Sequence, residues 1–175
     1  IPNNFSMISL GIDSGTQSTK TIALDLESGK ILATAAQSYG MIEGLPPGHL
    51  EQEPQCWVDA VDATVLEVLQ KLGKKKEAVK AIGVSGQQHG FVPLDKKGQV
   101  IRPAKLWCDT STTEQCKQFE EEFGGPAGLI KIAGNAMPPG YTAPKILWLK
   151  QNEPKNYKAL ATVLLPHDYI NFHLT

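Results

Sequence analysis

Hydrophobic and polar positions change over in short blocks along the first part of the chain. Apolar runs at 7–12, 20–25 and 31–37 each have strand length, and the last two are joined by the turn sequence Leu26-Glu27-Ser28-Gly29. They predict a meander of three antiparallel strands. The Pro- and Gly-rich stretch 40–53 has no period and predicts a loop. The period then lengthens. Trp57, Val61, Val65, Val68, Leu69 and Leu72 recur at three- and four-residue intervals, which puts them on one stripe of a helix. Pro54 stands at the favoured first helical position and Gly73 at the favoured stop, so the spacing predicts a helix over 54–73. The apolar run 79–84 predicts the next strand and completes a β-β-β-α-β order.

The second half mixes both periods. A strand is predicted over 90–94, followed by the turn Asp95-Lys96-Lys97-Gly98 and a short strand near Val100. Ser111 with Glu114 three residues on forms a capping box, so a helix is expected from there to Phe123. Helices at 126–132 and 143–151 follow, the latter closed off by Pro154, then a strand at 162–165 and a last helix at 167–174. No internal repeat or low-complexity stretch interrupts this order.

Composition narrows the class. With 175 residues, 41% hydrophobic, 20% charged and a formal net charge of −1, the chain reads as one soluble globular domain long enough to bury a core. Lys74-Lys75-Lys76 is the only basic run and reads as a solvated connection, which argues against nucleic acid or an acidic membrane surface as partner. No apolar run approaches the roughly twenty residues a membrane span requires, and the short uncharged segment 1–6 is no signal peptide. The three cysteines, Cys56, Cys108 and Cys116, are odd in number and lack paired metal spacing. They point to a reducing, cytoplasmic compartment.

The densest chemistry lies between the first two strands. Asp13 ends the first strand, where a carboxylate can hold a hydrated cation, and Gly15, Thr16, Gln17, Ser18, Thr19 and Lys20 supply a glycine, hydroxyls and an ammonium. An ordinary hairpin turn would use some of the same residues, but a tight one needs only two. The order strand, Asp-x-Gly-Thr-x-x-x-Lys, strand resembles the first phosphate motif of the actin-like ATPase superfamily, in the form carried by FGGY carbohydrate kinases. It is neither a Walker loop nor a dinucleotide fingerprint, because the lysine precedes a strand and no glycine triplet opens a helix.

Further segments resemble the same family, in the same order. Glu51-Gln52-Glu53-Pro54 resembles its Glu-Gln-x-Pro start of a helix, though a proline at a helix start also explains Pro54 alone. Gln87-Gln88-His89-Gly90 resembles the Gln-Met-His-Gly of the branch that acts on xylulose, with Gln88 in place of methionine; the resemblance makes Gln88, His89 and Gly90 sugar contacts. A histidine among two glutamines and two glycines is rich in donors and poor in bulk, although a lone histidine often serves structure. Leu106-Trp107-Cys108-Asp109 resembles Leu-Trp-Asn-Asp, with Cys108 in place of asparagine, and implies that Asp109 accepts sugar hydroxyls. Asp109 equally suits the start of the following helix. Gly140-Tyr141-Thr142-Ala143-Pro144-Lys145 and Leu164-Leu165-Pro166-His167-Asp168-Tyr169 resemble two more family segments, read here mainly as packing and capping, with Tyr141 a wall of the sugar pocket.

The resemblance implies an α/β ribonuclease H-like (actin-like ATPase) domain with a β-β-β-α-β-α core and helical insertions. Residues 1–175 would be the N-terminal, sugar-binding domain of a two-domain carbohydrate kinase, with the general-base aspartate and the ATP-binding domain beyond Thr175. It further implies ATP and Mg2+, the metal near Asp13, a small-molecule sugar substrate, and room for a homodimer of the full-length enzyme. The implied reaction phosphorylates D-xylulose to xylulose 5-phosphate. A short sugar-binding module without activity, or a kinase of another ketose or polyol, are the alternatives; glycerol kinases carry Arg-Glu where this chain has Gln88-His89.

Overall fold

A computed structural model describes residues 6–175; most of the segment read as lacking a signal peptide lies outside the described residues. The chain divides into two compact units, one formed by the residues up to Gly40, Gln55–Gln87 and His167–Thr175, the other by Met41–Pro54 and Gln88–Pro166.

The first unit is a four-stranded sheet with one helix laid on it. Strands β1 (Ile8–Ser14), β2 (Ser18–Asp25), β3 (Ile31–Ser38) and β5 (Val79–Gly86) lie in the order β3-β2-β1-β5, and α1 (Gln55–Leu72) packs on β1, β2 and β3. β1 runs antiparallel to β2 and parallel to β5. Alternation decides the faces: Ile8, Leu10, Ala23, Ala33 and Ala35 from the strands meet Val68 and Leu72 from α1 in one core. Thr21 and Thr64 are also buried at this junction, where their hydroxyls satisfy each other at 2.7 Å. The basic run Lys74-Lys75-Lys76 lies in a 3-10 turn, Gly73–Ala78, between α1 and β5.

The second unit holds two small antiparallel ladders and most of the helices. β4 (Glu51–Gln52) pairs with β7 (Ala104–Lys105), and β6 (Val92–Leu94) pairs with β8 (Thr162–Leu164). The helices are α2 (Thr113–Glu122), α3 (Gly125–Ala133), α4 (Thr142–Asn152) and α5 (Pro154–Ala159), while α6 (Pro166–Leu174) begins as this unit ends. Phe91, Val92, Leu94, Leu106, Leu129 and Leu149 are buried here.

Two local expectations are corrected. Ser111 does not cap α2: its N–H and hydroxyl both donate to Asp109 Oδ1, and the helix starts at Thr113 behind Thr112, which makes no side-chain cap. Pro154 follows the end of α4 as expected and also opens α5 at its first turn. Val100 forms an isolated bridge with Leu94 rather than a strand.

Candidate functional site

The residues expected to contact phosphate lie in the first unit. β1 extends to Ser14 and β2 starts at Ser18, so the loop is only Gly15-Thr16-Gln17, closed by the Gly15 N–H donating to Ser18 O at 3.0 Å. Ser18, Thr19 and Lys20 therefore belong to a strand, and the pleat sorts them. Asp13 stands opposite Lys20 in the antiparallel register and both are exposed, whereas Ser14 and Thr19, the next pair, are buried. The Thr19 hydroxyl is turned inward and donates to Ser14 Oγ at 3.1 Å.

Tyr39, just past β3, ties this turn together. Its hydroxyl donates to Gly15 O at 2.7 Å and lies 3.1 Å from Ser14 Oγ, so Thr19, Ser14, Tyr39 and the Gly15 carbonyl form one chain of donors and acceptors. Burial pushes the Tyr39 phenol up, which keeps it a donor. Gln87, at the far end of β5, secures the other side: its N–H donates to Ser14 O at 3.0 Å and its side-chain oxygen accepts from Thr16 Oγ1 at 3.4 Å.

On the outward face, Gly11, Asp13, Lys20, Ile22, Gly83 and Ser85 line a groove of about 470 Å³. Gly11 and Gly83 are register partners, as are Asp13 and Ser85. Two facing residues without side chains leave the space; its walls are mostly apolar, and Asp13, Ser85 and Lys20 are the residues that bring polar groups to it. An anionic oxygen and a hydroxyl beside a lysine make a donor set that suits a hydrated divalent ion with a phosphate.

The residues expected to contact sugar lie in the second unit. Gln88 and His89 are exposed. His89 has φ 58, which makes it the one non-glycine residue at positive φ among the described residues. Such a backbone costs on the order of 1–3 kcal/mol and persists where surrounding contacts over-determine it. Here the His89 carbonyl accepts from Lys145 Nζ at 2.7 Å and from Thr142 Oγ1 at 3.2 Å, and the imidazole stacks on the Tyr141 ring at 4.3 Å and 11°. Tyr141 is held in turn by Asn135 Nδ2, which donates to its hydroxyl at 2.9 Å. Gly140 is required beside it: a Cβ there would lie 2.3 Å from Trp107 O. Trp107 itself is 51% exposed.

Asp109 occupies a different environment from the one a sugar ligand needs. It is 0% exposed, and both carboxylate oxygens are engaged: Oδ1 by Ser111, Oδ2 by the Leu50 N–H at 2.9 Å and Lys105 Nζ at 3.2 Å. Burial pushes its pKa up, but the hydrogen bonds from Ser111 and Leu50 and the charge of Lys105 outweigh burial and hold it below the usual carboxylate value. Its position fixes the backbone at Leu50 and Ser111.

His49, Glu51 and Asp109 bring ligand atoms within 4.8 Å of one another, a spacing compatible with a metal. Lys105 takes that place. Its Nζ lies 3.0 Å from Glu51, 3.2 Å from Asp109 and 3.3 Å from His49, and 4.0 Å over the Trp148 ring. Arg102 meets both Glu51 oxygens, at 2.8 and 2.7 Å. The cluster is a closed set of paired buried charges, and Trp148 serves as its apolar floor. Burial raises the Cys108 thiol, so it stays neutral near pH 7.

Sequence reasoning missed Tyr39, whose place beside the turn follows from the pairing of β2 with β3 rather than from any spacing. It also missed Lys145 and Thr142 as partners of His89. Both stand in the segment Gly140–Lys145, where the only signal was a lysine one turn into a helix that tertiary structure buries completely.

The chain is similar to known proteins along nearly its whole length. Residues 8–175 match the FGGY family of carbohydrate kinases, N-terminal domain. The xylulose kinase of Haemophilus influenzae is 38% identical over 171 residues, covering 95% of this chain and 34% of the relative. That of Bacillus subtilis is 39% identical over 166 residues, covering 95% and 32%. Among solved structures, xylulose kinase from Rhodospirillum rubrum superposes with a TM-score of 0.87 at 28% identity, over 93% of this chain and 33% of that one. Plasmodium falciparum glycerol kinase with ADP gives 0.84 at 25%, over 97% and 34%. The chain thus spans about a third of the length of the relatives it matches.

Proposed function

Because the chain belongs to the FGGY family of carbohydrate kinases, we propose that it is the sugar- and phosphate-contacting part of an ATP-dependent kinase whose substrate is D-xylulose. The observation that carries this reading is identity of 38–39% to proteins named xylulose kinase across 95% of the chain. The groove and the exposed Gln88-His89 pair are chemically suited to the two ends of such a reaction.

Asp13 and Ser85 would hold a hydrated Mg2+ at the groove and Lys20 would pair with phosphoryl oxygens; when bound, the metal would supply charge neutralisation for the transferred group. Thr16 and Gln17 lie at the turn itself, where the clasp of Tyr39 and Gln87 keeps the backbone fixed before any ligand arrives. Preorganisation of this kind is most of what phosphoryl transfer asks of a protein. Gln88 and His89 hydrogen-bond to ketose hydroxyls, with Tyr141 backing the imidazole; Gly90, expected as a third sugar contact, is instead buried against Pro166, where a Cβ would lie 2.5 Å from Pro166 Cγ. Asp109 acts at one remove, by holding the chain around Leu50 and Ser111.

The test is a pair of substitutions in the protein expressed from the complete coding sequence that contains this chain. Asp13→Asn lowers kcat at least about 100-fold with little change in the KM for xylulose, since it removes charge that matters in the transition state. His89→Ala lowers kcat/KM by about 1–3 kcal/mol, mainly through the KM for sugar. Near-normal turnover of Asp13→Asn would contradict the phosphate assignment. A normal sugar KM with a lowered thermal midpoint in His89→Ala would make His89 structural.

A further inference from the structure

We propose that Lys145 and Thr142 are positioning residues: together they grip the main-chain carbonyl of His89, hold that residue in its left-handed backbone, and so set the direction in which its imidazole meets the sugar. The proposal rests on the reading of His89 as a sugar contact given above.

Three observations converge on it. Lys145 has no exposed surface, yet among the described residues no carboxylate lies within 4.0 Å of its Nζ; the ammonium is spent instead on two peptide carbonyls, His89 O at 2.7 Å and Gly140 O at 2.6 Å. A buried cation whose hydrogen bonds all go to neutral carbonyls, with the charge of Asp109 acting on it only from beyond 4.0 Å, is a poor way to add stability, since an apolar side chain would pack there without desolvation cost. Its geometry, however, is specific. The two carbonyls it joins belong to His89 and to the residue immediately before Tyr141, and the rings of His89 and Tyr141 are the stacked pair. One side chain therefore fixes both members of the stack from the backbone side.

Thr142 adds the second grip. Its hydroxyl lies 3.2 Å from His89 O and 3.5 Å from Gly90 O. Because Tyr141, Thr142 and Lys145 occupy the start of α4, the helix presents the stacking ring and both donors as one rigid piece. The strained residue is thus over-determined by three groups from a single turn, the condition under which positive φ persists at a non-glycine position. A histidine free to relax toward ordinary φ would carry its imidazole away from Tyr141 and lose its aim.

The experiment compares wild type, Lys145→Met, Thr142→Val and His89→Ala in the protein from the complete coding sequence, with NMR of 13C-labelled histidine on the 175-residue chain. Lys145→Met is expected to raise the KM for xylulose about 10- to 100-fold, the loss of a charge-assisted hydrogen bond, with the KM for ATP unchanged. It also erases the upfield ring-current shift that Tyr141 imposes on His89. Thr142→Val removes the longer contact and gives a smaller change of the same kind, about threefold, which keeps the test alive should Lys145→Met not fold. An unaltered sugar KM and unaltered His89 signals in folded variants would overturn the proposal. If His89→Ala leaves the sugar KM untouched while Lys145→Met still erases the ring shift, the sugar reading fails and the grip on His89 stands.

Discussion

Lys145 has exchanged water for two peptide carbonyls, and burial pushes its ammonium down from the ordinary 10.5 to about 8; Asp109 and Cys108 oppose that shift and Lys105 adds to it. Because the folded value lies below the unfolded one, the unfolded chain binds more protons between about pH 8 and 10.5, and stability must rise with pH across that window. The expected outcome is an unfolding free energy of wild type that climbs relative to Lys145→Met by up to about 1.4 kcal/mol per pH unit there, measured by urea titration at several pH values. A flat difference would mean that Lys145 is neutral or solvated in the folded chain. Asp109 behaves in the opposite sense. Held below its ordinary 3.8, it contributes stability that is present above that value and is lost as pH falls through the folded one. At this scale the sequence showed which residue types carry chemistry but not their surroundings. Asp109 and Thr19 looked like ligands by motif, and burial turned both inward: Asp109 onto its near neighbours Lys105 and Ser111 and the distant Leu50 N–H, Thr19 onto Ser14 and Tyr39.

Elements with a sustained period were legible, and short ones were not. The meander and α1 followed from alternation and from the stripe Trp57, Val61, Val68 and Leu72. β4 and β7, at two residues each, are too short to carry any period, and they exist because Glu51 and Gln52 find partners in Lys105 and Ala104 across fifty residues of chain. The capping box at Ser111 lost to Asp109, two residues back, which takes the same hydroxyl in a local turn. α1 offers a clean check of the stripe. Leu72 is 7% exposed in the core against the sheet, while Leu66 on the same helix is 58% exposed. Leu72→Ala should cost about 2–5 kcal/mol of unfolding free energy, and Leu66→Ala no more than about 0.5 kcal/mol, both by denaturant titration. Equal effects would mean that the helix presents a different face to the strands.

At the scale of the whole molecule, the two sets of proposed site residues fall in different compact units: the groove of Asp13, Lys20 and Ser85 in one, the His89–Tyr141 stack in the other. Gln87 and Gln88, adjacent in sequence, mark the change from one to the other. The chain covers about a third of the length of the xylulose kinases it matches. On this account, catalysis draws on groups outside these 175 residues as well as on those within them. The most direct measurement is xylulose-dependent release of ADP, followed by a coupled assay at high protein concentration, for the 175-residue chain and for the product of the complete coding sequence side by side. The account predicts turnover with xylulose in the complete protein, little with glycerol, and none above background in the chain alone. Sugar-dependent turnover by the chain alone, or a complete protein that ignores xylulose while accepting glycerol, would contradict it.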